Sequence, residues 1–596
     1  MRFTRVSALA LITAAGAVAL AGCTAPGTEE PEIVENSIVT AAQNQPFTSA
    51  NNGTADQNTT YNGNITYMTS AGFNYYDNTP TLVQNTDFGT YELVSEDPLT
   101  VTYTVNEGVT WSDGTQVDAA DMMLSWVQCQ SEYNDPKGDV NFGSVSAGAT
   151  CDLMEMPEIG EDGRTVTITY SEPYVDWELN FGVGMPAHIV YQLAFPDVED
   201  PEEAKAGMIS AIQDGDTEAL AEIAAHWTKD FEMTSMPDDE RLLVSNGAYT
   251  ITDLTDSYVT LTAREDYVAG PTPQVQTITV RFIADPTAQV QALENGEIDI
   301  FYGQPTEDTV NTLAEMEGVT YETLAGAVYE HIDLTFNNGG PFDPATYDGD
   351  EETARLVREA FLKIIPREEI VTNLIQPISP DAEPMNSQLF FPGAEGYEES
   401  AAANGSAEYT AADPEAAAAL LEEAGVDTPV DVDFMYAADN PRRASEYELV
   451  AASGEEAGFN VINDVDANWG ARLGDGSYDA SLFAWVSTST AVTSSQATFQ
   501  TGQGNNLNGY SNEAADELWT ELQSTFDPER QIELLTQIDA MTFEDAYGLP
   551  LYQYPDLVAY SDAVENVSGA PLSPNVFWNF WEWTPTEAAV AETTEG

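Results

Sequence analysis

Residues 103–126 read Y-T-V-N-E-G-V-T-W-S-D-G-T-Q-V-D-A-A-D-M-M-L-S-W. Where this stretch begins, Val101, Tyr103 and Val105 alternate with Thr102, Thr104 and Asn106, the period of a strand with one buried face. Ser112-Asp113-Gly114 then supplies a turn, since Asp can bond its own backbone two residues on and Gly tolerates positive φ. Asp118 stands where a helix N-cap belongs, and Ala119, Met122, Met123 and Trp126 share one face of the helix behind it. The stretch predicts a strand, a tight turn and a capped helix.

Farther out the same kind of reading continues. Upstream, residues 34–80 read as loops and short strands. Val166 to Tyr170 alternates again before Ser171-Glu172-Pro173, and residues 198–240, acidic with a helical period, read as a surface insertion. Asn246-Gly247-Ala248-Tyr249 opens a run of strands, and Asn295-Gly296-Glu297-Ile298-Asp299 follows a short helix. Val357, Ala360, Phe361 and Ile364 recur at helical spacing, accompanied by Arg355, Arg358, Pro366 and Arg367. Asp413-Pro414 starts another helix and Gly425 ends it. Strands at 430–434, 460–462 and 478–485 alternate with helices, which predicts a second α/β lobe.

Trp111-Ser112-Asp113-Gly114, followed by Ala120-Asp121 and Ser125-Trp126, resembles the signature segment of the family 5 extracellular solute-binding proteins, the oligopeptide and dipeptide receptors of ABC importers. Ser171-Glu172-Pro173, Asn246 to Tyr249, Gly296 to Asp299, the Arg355 to Arg367 element and Tyr478-Asp479 through Trp485 follow in that family's order. The resemblance covers roughly residues 35–584. It implies an α/β, two-lobed periplasmic-binding-protein-like fold of type II, cluster C, whose first lobe carries an extra subdomain. On that plan the first lobe comprises 34–85, 245–310 and 561–586, the extra subdomain 86–244 and the second lobe 311–560, with a disordered acidic tail at 587–596. The implied function is that of a receptor and not an enzyme: a monomer that closes on a peptide and delivers it to the transmembrane subunits of an ABC permease. A non-peptide solute, an oligosaccharide or a nickel complex, is the alternative, since fold does not fix the ligand, and a secreted hydrolase is the remote one.

Composition narrows the partners. Lys+Arg is 17 against Asp+Glu 101, a formal charge of −84 that excludes DNA and RNA by repulsion. Arg2 and Arg5 precede an apolar run from Leu9 to Leu20 that is too short to span a bilayer, so residues 1–22 read as a signal peptide. The run closes with Leu20-Ala21-Gly22-Cys23, which resembles a bacterial lipobox. That implies a lipid on Cys23, a polar tether over 23–33 and attachment at the outer face of the cytoplasmic membrane. Two cysteines remain, Cys129 and Cys151; an even count in an oxidising compartment predicts a bridge.

Candidate chemistry is sparse. His188, His226 and His331 are scattered, and neither H-E-x-x-H nor G-x-S-x-G occurs. Asp464-Val465-Asp466-Ala467-Asn468 begins like a calcium loop, but Trp469 stands where Gly is required, so no metal is expected. No cofactor is expected either. Trp485 matches a cleft-lining Trp of the peptide receptors, which places Ala484, Val486 and Trp469 beside the ligand as well. Those receptors hold the peptide's amino group with an Asp three residues beyond that Trp. Here the corresponding residue is Thr488, which lines the ligand with a hydroxyl in place of that charge, so blocking a ligand's amino group is expected to matter less than in those receptors unless another acid replaces it. Arg442 falls near a position that holds a ligand carboxylate in some relatives; an arginine answering local acids is the plain reading of the same residue.

Overall fold

A computed structural model describes residues 31–590, apart from positions 80, 439 and 488. The signal peptide, Cys23 and Thr488 therefore lie outside the described residues. The decisive stretch forms a strand, Leu99–Val105, whose Leu99, Val101, Tyr103 and Val105 are buried while the threonines between them are half-buried. A helix, Ala119–Val127, follows, with Asp118 as N-cap and Asp121 closing a reciprocal capping box. Gly114 sits at φ +87°, which the turn requires and a side chain would resist.

This segment works as a joint. Trp111 donates its indole N–H to Asp121 (3.3 Å), and Ser112 donates its backbone N–H to the Ser245 carbonyl while its hydroxyl oxygen accepts the Ser245 N–H. Arg264 reaches the carbonyls of Thr110, Trp111, Ser245 and Gly247. The joint fastens the four-stranded sheet of Gly89–Glu96, Leu99–Val105, Thr165–Thr169 and Glu158–Ile159 to the main body. The sulfurs of Cys129 and Cys151 are bonded beneath that sheet, with their Cα atoms 5.8 Å apart. Residues 198–240 are not a surface insertion. Met208, Ile212, Leu220, Ile223 and Trp227, on helices Pro201–Gln213 and Thr217–Lys229, are buried in the same core, and Lys205 is buried against Asp118 at 2.9 Å.

The main body is one ten-stranded sheet that passes through both lobes. Its order is Phe459–Asp466, Val430–Ala437, Ala480–Val486, Val319–Leu334, Gly548–Ser561, Ile300–Gly303, Val34–Gln43, Val275–Phe282, Tyr258–Ala263 and Tyr249–Leu254. The two longest strands, Val319–Leu334 and Gly548–Ser561, pair antiparallel and cross from lobe to lobe. Their register breaks between Ala325 and Tyr329, so the lobes meet there and not at 311 and 561. Residues 313–325 and 555–561 belong with the first lobe, where Leu313, Leu557 and Ala559 share a core with Val290, Leu293 and Phe301.

Residues 34–80 hold more than loops and short strands: a ten-residue inner strand and a helix, Thr60–Thr69, capped by Thr59. That helix is mostly polar and buries Asn62 and Asn64 beside Ile65 and Met68, so packing and not periodicity stabilises it. The tail begins later than residue 587, since Ala589 is buried and Val590 bridges Ser37 on the inner strand. No helix among the described residues is long and apolar enough to cross a membrane.

Candidate functional site

Parallel strands in both lobes direct their carboxyl ends at the crossing point, the place where open α/β sheets leave side chains and backbone groups free for a ligand. From the first lobe come Tyr302 to Pro305, at and just past the end of Ile300–Gly303. From the second come Trp485 and Val486 at the end of Ala480–Val486, and Arg442 in the first turn of helix Pro441–Ala457, which Asn440 caps. Gly326, Ala327, Gln553 and Tyr554 form the floor. Ser487 donates its backbone N–H to the Ala327 carbonyl (2.9 Å), Gln553 its side-chain amide to the Gly326 carbonyl (2.6 Å), and Tyr554 its hydroxyl to the Pro305 carbonyl (3.0 Å).

Register separates the predicted residues. Tyr329 pairs with Trp485 and Glu330 with Ala484, and alternate residues of a strand point to opposite faces. Trp485 therefore shares a face with His331 and Phe483, stacking on the imidazole at 6.3 Å and meeting Phe483 edge-on at 5.3 Å. Its indole N–H is buried without a partner among the described residues. Val486, 58 % exposed, belongs to the face of Ala484 and Glu330. Trp469 is half-buried between Phe483 and Arg443, whose guanidinium lies 5.3 Å from its ring.

Arg442 is already engaged. It pairs with Glu330 and Glu446, each at 3.0 Å, touches the Tyr552 hydroxyl and lies 4.7 Å from the centre of the Tyr554 ring. Arg443 completes the cluster by binding Glu330 at 2.5 Å. The charge of Arg442, read from sequence either as a ligand-carboxylate holder or as a partner of local acids, is met in the structure by two buried acids, Glu330 and Glu446. Burial opposes the charge on Glu330, but the two guanidiniums outweigh it and hold its carboxyl below the usual range. Glu446, with less compensation, is pushed by burial up to about 7 against the pull of Arg442.

Residues that the sequence reading passed over also meet here. Asp556, on the first-lobe half of its crossing strand, accepts the Tyr302 hydroxyl at 2.7 Å, and burial pushes its carboxyl up to about 6. At the rim, Asp176 of the extra subdomain reaches across to the second lobe. It accepts the backbone N–H groups of Val492 (2.6 Å) and Thr493 (3.1 Å) and the Thr493 hydroxyl (2.5 Å), while Val175 donates to the Gln523 carbonyl. The lobes thus touch at the floor and at the rim. Glu178, Leu179 and Phe181, just beyond Asp176, help line a cavity of about 340 Å³ with Tyr67, Tyr75 and Trp578. No signal separated Asp176 or Asp556 from the chain's 99 other acids, since neither lies in a motif.

The broken calcium loop is filled from within: Arg472 binds Asp464 at 2.6 Å and Asp466 at 3.1 Å. No cluster of three or more metal-ligating side chains occurs among the described residues.

Residues 89–506, the extra subdomain and most of the second lobe included, match the description of the bacterial extracellular solute-binding proteins, family 5 Middle. The chain belongs to this family. Among its relatives, an uncharacterized lipoprotein of Mycobacterium tuberculosis, Rv2585c, is 23 % identical over 98 % of each chain. The oligopeptide-binding protein OppA of the same organism is 23 % identical over 83 % of this chain and 76 % of its own. Among solved structures, a periplasmic EDTA-binding protein, EppA, superposes with a TM-score of 0.76 at 22 % identity, covering 94 % of this chain and 98 % of its own. The type II, two-lobed fold of this solute-binding protein follows, together with an extracytoplasmic role as a solute receptor that works with an ABC permease.

Proposed function

We propose that this solute-binding protein is a peptide receptor, held at the outer face of the cytoplasmic membrane by a lipid on Cys23 and acting as a monomer. The observation that carries the reading is the convergence at the crossing strands. Carboxyl ends of strands from both lobes, the paired backbone of Val328 and Val486, and the side chains of Tyr302 and Tyr554 meet at one junction between the lobes. Such a junction suits an extended peptide, which gains affinity through its backbone while pockets receive its side chains. The aromatic cavity beside Asp176 has the size and character to receive an apolar side chain. Similarity to an oligopeptide-binding protein over 83 % of this chain and to a lipoprotein over 98 % of it supports the same reading.

Closure would then be stabilised by contacts that a ligand makes only when both lobes hold it. The test is a thermal-shift panel of tri- to nonapeptides, oligosaccharides and nickel complexes. Peptides are expected to raise the melting temperature while the other classes leave it unchanged; a shift confined to sugars or nickel complexes would overturn the peptide reading. A Cys23→Ala variant is expected in the soluble fraction, and its retention in washed membranes would reject the lipid anchor.

A further inference from the structure

We infer that Asp556 is the anion that receives a primary ammonium group of the ligand, taking the part that position 488 has lost. The inference rests on the peptide-receptor reading and deepens it by naming the charge that the cleft selects.

Asp556 differs from every other buried carboxylate in the described residues. Asp121 has Lys205, Trp111 and two backbone N–H groups; Glu330 and Glu446 have arginine. Asp176, Asp343, Asp479 and Asp539 each take at least two hydrogen bonds, and Asp333 has His331 and Tyr547. Asp556 is 5 % exposed, yet it receives one bond, from the neutral phenol of Tyr302, and among the described residues no donor reaches its Oδ1. A buried carboxylate is ordinarily paired or fully hydrogen-bonded, so a solitary one at the junction of the lobes is a site suited to a cation.

Its position fits that use. The carboxylate lies against Gly326: a Cβ built there would stand 2.7 Å from Asp556 Oδ2 and 2.6 Å from the Tyr554 carbonyl oxygen, so only glycine leaves it room. The next residue, Ala327, is bonded to Ser487, the residue after Val486. Asp556 is thus at the junction of the lobes, next to the end of the strand that carries Trp485, although it comes from the opposite lobe. An ammonium bound between them would join both lobes, and Arg442, neutralised by Glu330 and Glu446, would not repel it. The surrounding charge of −84 favours a cation as well.

The test uses the full-length protein and its Asp556→Asn variant, with an unblocked tetrapeptide library and the same library acetylated at the amino terminus, affinities being read by calorimetry. Asn keeps the size and the acceptor for Tyr302, and thermal unfolding is expected at or above the wild-type temperature. The wild type is expected to prefer the unblocked library by roughly 10- to 100-fold, the effect of one charge-assisted bond, and the variant to lose most of that preference while keeping its affinity for the acetylated library. Equal affinity of the wild type for both libraries, or an undiminished preference in the variant, would overturn the role of Asp556 and leave the peptide reading standing. If neither library binds the wild type, the peptide reading itself fails, and this inference fails with it.

Discussion

A Glu330→Gln variant is expected to lose about 3–5 kcal/mol of second-lobe stability, the usual cost of removing one partner from a buried ion pair. Glu330 is fully buried and faces two guanidiniums, Arg442 at 3.0 Å and Arg443 at 2.5 Å. Arg442 is 19 % exposed, and it is left with Glu446 and the face of Tyr554; Arg443 is left with the ring of Trp469. Gln matches the shape of Glu and can still accept a hydrogen bond, so the loss measured is that of charge. Calorimetric unfolding should show the second-lobe transition lowered by roughly 10 °C, at 2–4 °C per kcal/mol for a unit of this size. Replacing both partners, as Glu330→Leu with Arg443→Met, should recover more than half of the loss, because the cost lies in the stranded charge and not in the absent contact. A single variant melting within 2 °C of wild type would show that water enters the cluster and solvates the arginines.

Asp176→Ala is the second large effect, and it bears on closure in place of folding. Three donors of the second lobe converge on this one carboxylate of the first-lobe subdomain. Burial raises its carboxyl above the usual range, against the pull of Thr493 and Val492, so the contact forms at a desolvation cost that only a closed geometry offsets. Hydrogen bonds to a charged group contribute about 1.5–3 kcal/mol, so the closed population should fall by roughly 10- to 100-fold on truncation, and ligand affinity with it. Small-angle scattering of the ligand-free protein should show a larger radius of gyration, and calorimetry a weaker Kd that arises from faster release. Unchanged radius and unchanged affinity together would show that the rim contact follows closure without supporting it. Asp176→Asn should fall between the two, since it keeps an acceptor oxygen but not the charge.

Local pattern determined much of this protein. The strand, turn and capped helix of 99–127 follow from alternation, an Asp-Gly turn and a capping Asp, each of which acts over a few residues. The helix of Val357, Ala360 and Phe361 and the one bounded by Asp413 and Gly425 were legible for the same reason. So was the family, because its motifs keep their order along the chain. The mostly polar helix Thr60–Thr69 was not, as its stability comes from neighbours distant in sequence, and neither was the burial of helices 201–229, whose acidic outer faces masked their apolar ones.

The site divides along the same line. The strand that carries Trp485 and Val486 was legible from its motif, whereas the opposite faces of these two residues emerge only from pairing with Tyr329 and Val328. Whether Arg442 is free depends on Glu330, 112 positions away, and the use of Asp556 depends on Tyr302 and Gly326, more than 200 positions away. In a chain with 101 acids, composition cannot tell a solvated carboxylate from a buried one. A charge takes its meaning from the groups around it, and for these residues only the folding of two lobes onto a shared pair of strands decides which groups those are.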